Sequence, residues 1–207
     1  MTIPSSDTAR TSPSTARNRE PILSVLRGAL APTARVLEVA SGAGEHAVWM
    51  AQALPGVTWT PSEIDPVALA SIAAWREASG LVNLQAPLRL DAGDPGSWPT
   101  ESFDAIVCIN MVHISPWTAT RALVLAASRL LSVGGLLYLY GPYFEDGVET
   151  AASNLAFDES LRRRDPAWGL RRVRDVADLA AQAGFSRPDR VAMPANNLSL
   201  LFTRAPD

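Results

Sequence analysis

Gly42 and Gly44 directly follow the short apolar run RVLEVA (35–40), and Ala47 completes a G-x-G-x-x-A pattern at the start of a helical stretch. A turn without side chains lets backbone approach a ligand closely, which is what a nucleotide-like group needs after a first strand. A plain tight turn would use the same glycines. Glu63 stands nineteen residues after Gly44, at the end of the next strand-like run. An acid about 20 residues on can accept hydrogen bonds from both ribose hydroxyls. It could equally be a helix-cap carboxylate beside Asp65. Asp91 follows the third apolar run; its carboxylate could accept from an adenine amino group, with Ala92 a small wall for the ring, or it could be an ordinary turn residue. Glu38, inside the first run, is either a buried carboxylate bonded to backbone amides or an electrostatic partner for a cationic ligand.

Two ligand classes share the glycine turn and the ribose acid. A dinucleotide needs its pyrophosphate neutralised and a second half-sheet for the nicotinamide. S-adenosylmethionine presents a sulfonium cation and an amino acid, which suits this set of acids. The rest of the composition narrows the chemistry further. All 18 basic residues among the 207 are arginine, so lysine-dependent phosphate loops, Schiff bases and Tyr/Lys dehydrogenase pairs are excluded. With two histidines and one cysteine, no Cys-rich zinc site or structural disulfide is expected, and no metal. The net charge of −3 disfavours non-specific nucleic-acid or anionic-membrane binding. No apolar run is long enough for a membrane span, no secretory signal pattern is present, and a cytoplasmic location is expected.

These residues must be held by a scaffold, and the periodicity describes one. Residues 1–15, rich in Ser, Thr and Pro, read as a flexible tail, and 16–207 as a single domain. A helix is expected from Pro21, with strands at 35–40, VTWTPSE (57–63), LQAPLRL (84–90), FDAIVCIN (103–110) and LLYLYG (136–141). Helices intervene, including one over 116–131 closed by Gly134 and Gly135 as its C-cap. A helix over 173–183 precedes two last strands joined by the turn MPANN (193–197), spaced for an antiparallel hairpin. The fold class is α/β: a doubly wound, Rossmann-like, seven-stranded sheet with a C-terminal antiparallel hairpin.

VLEVASGAGEH, PSEIDP, LDAGD, FDAIVCINMVH and LLSVGGLLYLYGPY stand in the order of the motifs of class I S-adenosylmethionine-dependent methyltransferases, which the chain resembles from Val36 to Tyr143. More narrowly, ARNREPI, NMVHISPW, SNLAFDESLRRRDPAWGLR and MPANNLSLLF resemble a domain-of-unknown-function branch among the methyltransferase-like proteins. The resemblance implies S-adenosylmethionine as cofactor, with Gly42 and Gly44 at its methionine moiety, Glu63 at the ribose, and Asp91 and Ala92 at the adenine. Asn110 would face the reacting centre. Family members often carry Asp where this chain has the longer Glu63.

Methyl transfer from a sulfonium is an in-line displacement, so alignment of donor and acceptor dominates, and a base is needed only if the acceptor must lose a proton. His113, in NMVH beside Asn110, is the candidate base or orienting group, unless it is a helix-start histidine satisfied by backbone; His46 reads as structural. Residues 142–172 read as an acceptor lid, offering Tyr143 as a further catalytic candidate and Asn154, Asp158, Trp168 and Arg171 as acceptor contacts. Asn18 and Arg19 from the amino-terminal segment, with Asn196 and Asn197 from the hairpin turn, would close on it. Arg162, Arg163 and Arg164 alternate with acids and read as a solvated helix face, not a nucleic-acid surface. The expected acceptor is a small molecule. The alternatives are a non-catalytic S-adenosylmethionine-binding scaffold or sensor and, further off, an NAD-dependent oxidoreductase.

Overall fold

The computed structural model describes residues 8–206. A central seven-stranded sheet has the order β3-β2-β1-β4-β5-β9-β8. Its parallel part comprises β1 (Arg35–Val39), β2 (Thr58–Glu63), β3 (Leu88–Arg89), β4 (Phe103–Ile109) and β5 (Leu131–Gly141). β9 (Asn197–Thr203) runs antiparallel to β5, and β8 (Asp189–Met193) pairs antiparallel with β9 at the edge, which is the expected terminal hairpin. Helices α1 (Pro13–Ala29), α2 (Glu45–Ala53) and α3 (Pro66–Ser79) cover one face; α4 (Trp117–Leu130) and α6 (Val173–Gln182) cover the other.

Strand alternation builds both layers. Along β1, Val36 packs with Ile22, Leu26 and Met50, whereas Leu37 and Val39 pack with Leu123 and Val176 on the opposite face. Strands buried on both sides read as near-continuous apolar runs, which is why β1, β4 and β5 are mostly apolar, with Glu38 the buried exception in β1. Each fully buried Leu, Ile or Phe contributes roughly 1.5–3 kcal/mol relative to exposure. The hairpin is tied in by a buried hydrogen bond between the Tyr138 hydroxyl on β5 and Ser199 Oγ on β9, 2.6 Å.

Three elements depart from the sequence reading. The amino-terminal helix starts at Pro13, not Pro21, and the tail boundary moves with it. Arg10 N–H donates to Ser71 Oγ at 2.9 Å, the Trp75 indole donates to Arg10 O at 3.0 Å, and Thr15 is buried, so this polar segment is held by distant partners. The expected tail over residues 1–7 lies outside the described residues. The third strand shrinks to two residues plus a bridge at Leu84, because Pro87 has no N–H for the ladder. Gly134 and Gly135 do not cap α4, which passes directly into β5; they form an irregularity between Leu131, paired with Phe103, and Leu136, paired with Ala105. A Cβ at Gly135 would lie 2.8 Å from Ser132 O.

Residues 142–172 fold as an excursion above the sheet. A short parallel pair, β6 (Tyr143–Phe144) and β7 (Arg171–Arg172), brackets α5 (Ala152–Arg164). Tyr138→Phe is expected to lower unfolding free energy by about 1–2 kcal/mol, by leaving the buried Ser199 hydroxyl without its partner. Urea denaturation checks this as a lower midpoint at unchanged slope.

Candidate functional site

Two cavities open at the carboxyl ends of the parallel strands, where ligands bind in this architecture. The first is a groove of about 390 Å³, and Gly42, Glu63, Asp91 and Ala92 all line it. Ala40 leaves β1 in the left-handed region (φ 57°) and Gly42 follows at φ 56°. A Cβ on Gly42 would meet no protein atom within 4 Å, so the missing side chain leaves open groove. Gly44 behaves differently. It caps α2 at φ 91°, and a Cβ there would come within 2.9 Å of Ile72 Cγ1 and 3.0 Å of Ile72 Cα. It lets α2 and α3 approach and is not among the described lining residues of the groove, whereas the sequence suggested a place at a methionine moiety.

Glu63 accepts from Gly42 N–H at 2.8 Å through one oxygen and from Ile64 N–H at 2.8 Å through the other. A carboxylate has about four lone-pair sites; Oε1 also receives a long contact from Asp65 N–H at 3.5 Å, so Oε2 keeps a free acceptor site for a ligand. Asp91 accepts from Gly93 N–H at 2.8 Å through Oδ1 and keeps the same capacity. Asp65, beside Glu63, is the true cap of α3, accepting from Val67 N–H at 3.0 Å. Apart from Ser115, the remaining described walls are apolar, among them Leu90, Ile109 and Met111, and no arginine or histidine is among the described lining residues. An adenosyl group matches this donor set: apolar walls for a ring, carboxylates for a diol and an amino group, and net negative charge for a cation. A pyrophosphate does not, because the Gly42 amide is already taken by a carboxylate.

Glu38 lies outside this groove. Its side chain is buried beneath the glycine turn and accepts from the Trp59 indole at 2.9 Å. Burial raises its pKa to about 7, against the lowering effect of the Trp59 and Ser41 hydrogen bonds. The backbone carbonyl of Glu38 accepts from Ser62 Oγ at 2.7 Å, so this residue anchors the turn from below.

The second cavity is a cleft of about 630 Å³ between α1, α5, the segment after β4 and the hairpin turn. Asn18, Asn110, His113, Asn154, Asn196 and Asn197, all expected from sequence, line it together. Ile114 lines both cavities, so they meet along residues 109–114. Asn110 holds φ 66° at the end of β4, a conformation asparagine tolerates better than most residues. The described non-glycine residues with positive φ are Ala40, Asn110, Ala195 and Asn196, and every one lines one of these two cavities. Such strain persists where surrounding structure enforces it and clusters at functional sites.

His113 is 2% exposed, its Nδ1 is buried with no partner among the described residues, and its ring meets Phe157 edge-on at 5.6 Å. Burial, aided by the Arg171 charge, lowers its pKa to about 4, so the imidazole is neutral. A Cβ on Gly141 would lie 2.9 Å from this ring. His46 is structural as expected: Nε2 lies 2.8 Å from Asn18 Oδ1, joining α2 to α1, and burial lowers its pKa to about 4.

Several predicted residues build the cleft without lining it. Arg171 donates to Ser115 O at 2.7 Å, Ala167 O at 2.8 Å and Val112 O at 3.3 Å, stapling the lid to the segment carrying His113. Asp158 accepts from Leu170 N–H at 2.7 Å and from Arg162 Nε at 2.8 Å. Trp168 packs under the Arg164 guanidinium, 5.0 Å from ring centre, and Arg19 stacks on Trp49 at 3.9 Å. Tyr143 is buried with its hydroxyl unpartnered and lies outside this cleft, lining instead a neighbouring cavity of about 250 Å³ that shares Asn154, Asn196 and Asn197 with it. Tyr140 and Arg17 line the cleft and were missed. Tyr140 ends a strand that reads as core, and Arg17 falls one residue from Asn18 on a helix that composition did not reveal.

A family model described as "Protein of unknown function (DUF938)" matches residues 9–204. Among solved structures, an O-methyltransferase family protein from Burkholderia thailandensis aligns at TM-score 0.78 and 17% identity, covering 93% of this chain and 57% of that one. Human N-acetylserotonin methyltransferase in complex with SAM aligns at 0.73 and 15%, covering 93% and 53%. A putative O-methyltransferase from Nostoc punctiforme aligns at 0.79 and 14%, covering 92% and 57%. At these identities the likeness is one of fold, and the chain spans a little over half the length of these proteins.

Gly44→Ala is expected to cost at least ~2 kcal/mol, from left-handed strain and the clash with Ile72, whereas Gly42→Ala carries the backbone strain alone; thermal denaturation ranks the two. Burial also makes stability pH-dependent. From about pH 4.5 to 6.5 the unfolded chain holds protons on His46 and His113 that the fold rejects, while the fold retains the Glu38 proton that the unfolded chain has lost. The balance is one extra proton on the unfolded chain, so these groups raise stability with pH by ~1.4 kcal/mol per unit. Relative to wild type, Glu38→Gln should steepen that slope and His46→Gln flatten it, as read from urea denaturation across this range.

Proposed function

The chain belongs to the DUF938 family of proteins of unknown function, and from that footing we propose that it is an S-adenosylmethionine-dependent methyltransferase acting on a small-molecule acceptor. One observation carries the reading: a groove lined by Glu63, Asp91 and Gly42 meets a separate polar cleft along the strained segment that bears Asn110 and His113. Cofactor and acceptor would therefore be held by different walls and face each other across residues 109–114.

When bound, S-adenosylmethionine supplies an electrophilic methyl group on a sulfonium centre. Glu63 would accept from the ribose hydroxyls and Asp91 from the adenine amino group, while Ala92, Leu90 and Met111 pack the ring. Gly42 admits the ligand to the turn, and Asn110 offers an amide at the junction. A histidine that protonates only near pH 4 is a weak general base at neutral pH, so His113 serves chiefly to orient the acceptor by hydrogen bonding. The fold likeness to O-methyltransferases supports this reading, and the absence of lining arginines from the groove speaks against a dinucleotide.

Equilibrium titration should give one site for S-adenosylhomocysteine, weakened at least about tenfold by Glu63→Ala, and little affinity for NAD. Tight NAD binding without a response to S-adenosylhomocysteine would overturn the assignment. Incubation with methyl-labelled S-adenosylmethionine and a small-molecule cell extract should move label into the extract; binding without transfer would favour the scaffold reading.

A further inference from the structure

The acceptor cleft is electrically one-sided. Among its described lining residues Arg17 carries the only formal charge at neutral pH; no carboxylate lines it, and the other polar groups are hydroxyls, asparagine amides and the neutral His113. The Arg17 guanidinium has no hydrogen-bond or ion-pair partner among the described residues. The arginines of the neighbouring lid and hairpin are engaged instead: Arg162 with Asp158, Arg163 with Glu159, Arg172 with Asp146 and Arg190 with Glu145. Asn18 and Asn154, each over nine-tenths buried, present further polar surface to the same cavity.

Arg17 is exposed on α1, and an ammonium group entering this cleft would meet its like charge and no anion among the described lining residues. A carboxylate would meet a guanidinium fork suited to bidentate pairing. Pro142, Pro194, Ile114 and the 39%-exposed Phe157 add flat apolar walls. One cation matches one negative charge better than a phosphate dianion.

We propose that the acceptor is a small aromatic carboxylate, its carboxylate paired with Arg17 and its methylated group directed to Asn110 and His113. The assignment of the methylated end rests on the methyltransferase reading; the anion site rests on the cleft itself.

A set of one-ring and fused two-ring aromatic phenols, each prepared as carboxylate, primary carboxamide and aminomethyl compound, would be screened against the full chain by ligand-observed NMR, with and without S-adenosylhomocysteine. Binders would then be titrated calorimetrically. Carboxylates should bind at least about tenfold tighter than their carboxamides. Arg17→Gln should erase that difference while leaving melting temperature and S-adenosylhomocysteine affinity unchanged. Carboxylates no better than carboxamides, a preference for aminomethyl compounds, no binder at all, or a carboxylate preference surviving Arg17→Gln would each overturn the proposal. Loss of S-adenosylhomocysteine binding with the carboxylate preference intact would instead remove the methyltransferase reading and leave the anion site standing.

Discussion

Everything in this site depends on where adjacent strands β1 and β4 leave the sheet. Val39 pairs with Cys108, and within two residues each chain turns out through left-handed backbone, at Ala40 and at Asn110. That conformation costs roughly 1–2 kcal/mol for a residue with a Cβ. It is sustained because the strands behind it are locked between two apolar layers, with Leu37, Ile106 and Leu139 fully buried on one side and Val36, Val107 and Tyr138 on the other. Opening the sheet at this point creates the wall that both cavities share.

The two cavities differ in electrostatics because different elements furnish them. Strand ends β2 and β3 bring Glu63 and Asp91 to the groove, whereas α1, α5 and the hairpin turn bring amides and one arginine to the cleft. Hydrogen bonds fix the cleft's walls in place. Asn154 Nδ2 donates to Asn196 O at 2.9 Å, joining lid to hairpin, and Gly169 N–H donates to His113 O at 3.0 Å, joining lid to β4. Rigid placement of this kind is what a reaction governed by alignment requires.

Much of this was legible in residue order. Strand–turn–helix periodicity located β1, β2, β4 and the hairpin, and spacing brought Glu63 and Asp91 to the groove with Gly42. The segment 142–172 was legible as a unit, and Asn154 within it lines the cleft with Asn18, Asn196 and Asn197. Local signals misled where distant partners decide the outcome. Residues 8–15 look like tail because their partners, Ser71, Trp75 and Glu45, lie far along the chain. Asp158, Trp168 and Arg171 look like ligand contacts because polar and aromatic side chains on a lid can face either way.

By itself, then, the sequence determined the α/β class, the terminal antiparallel hairpin and the acids that meet at the groove, since these follow from short-range periodicity and fixed spacing. Tertiary structure decided which glycine opens onto the groove and which one lets two helices touch. It also decided which polar side chains line the cleft and which are spent on backbone carbonyls, and that a helix hidden in polar sequence supplies the one charged side chain among the cleft's described lining residues. Those outcomes depend on contacts between residues dozens of positions apart, and no local pattern encodes them.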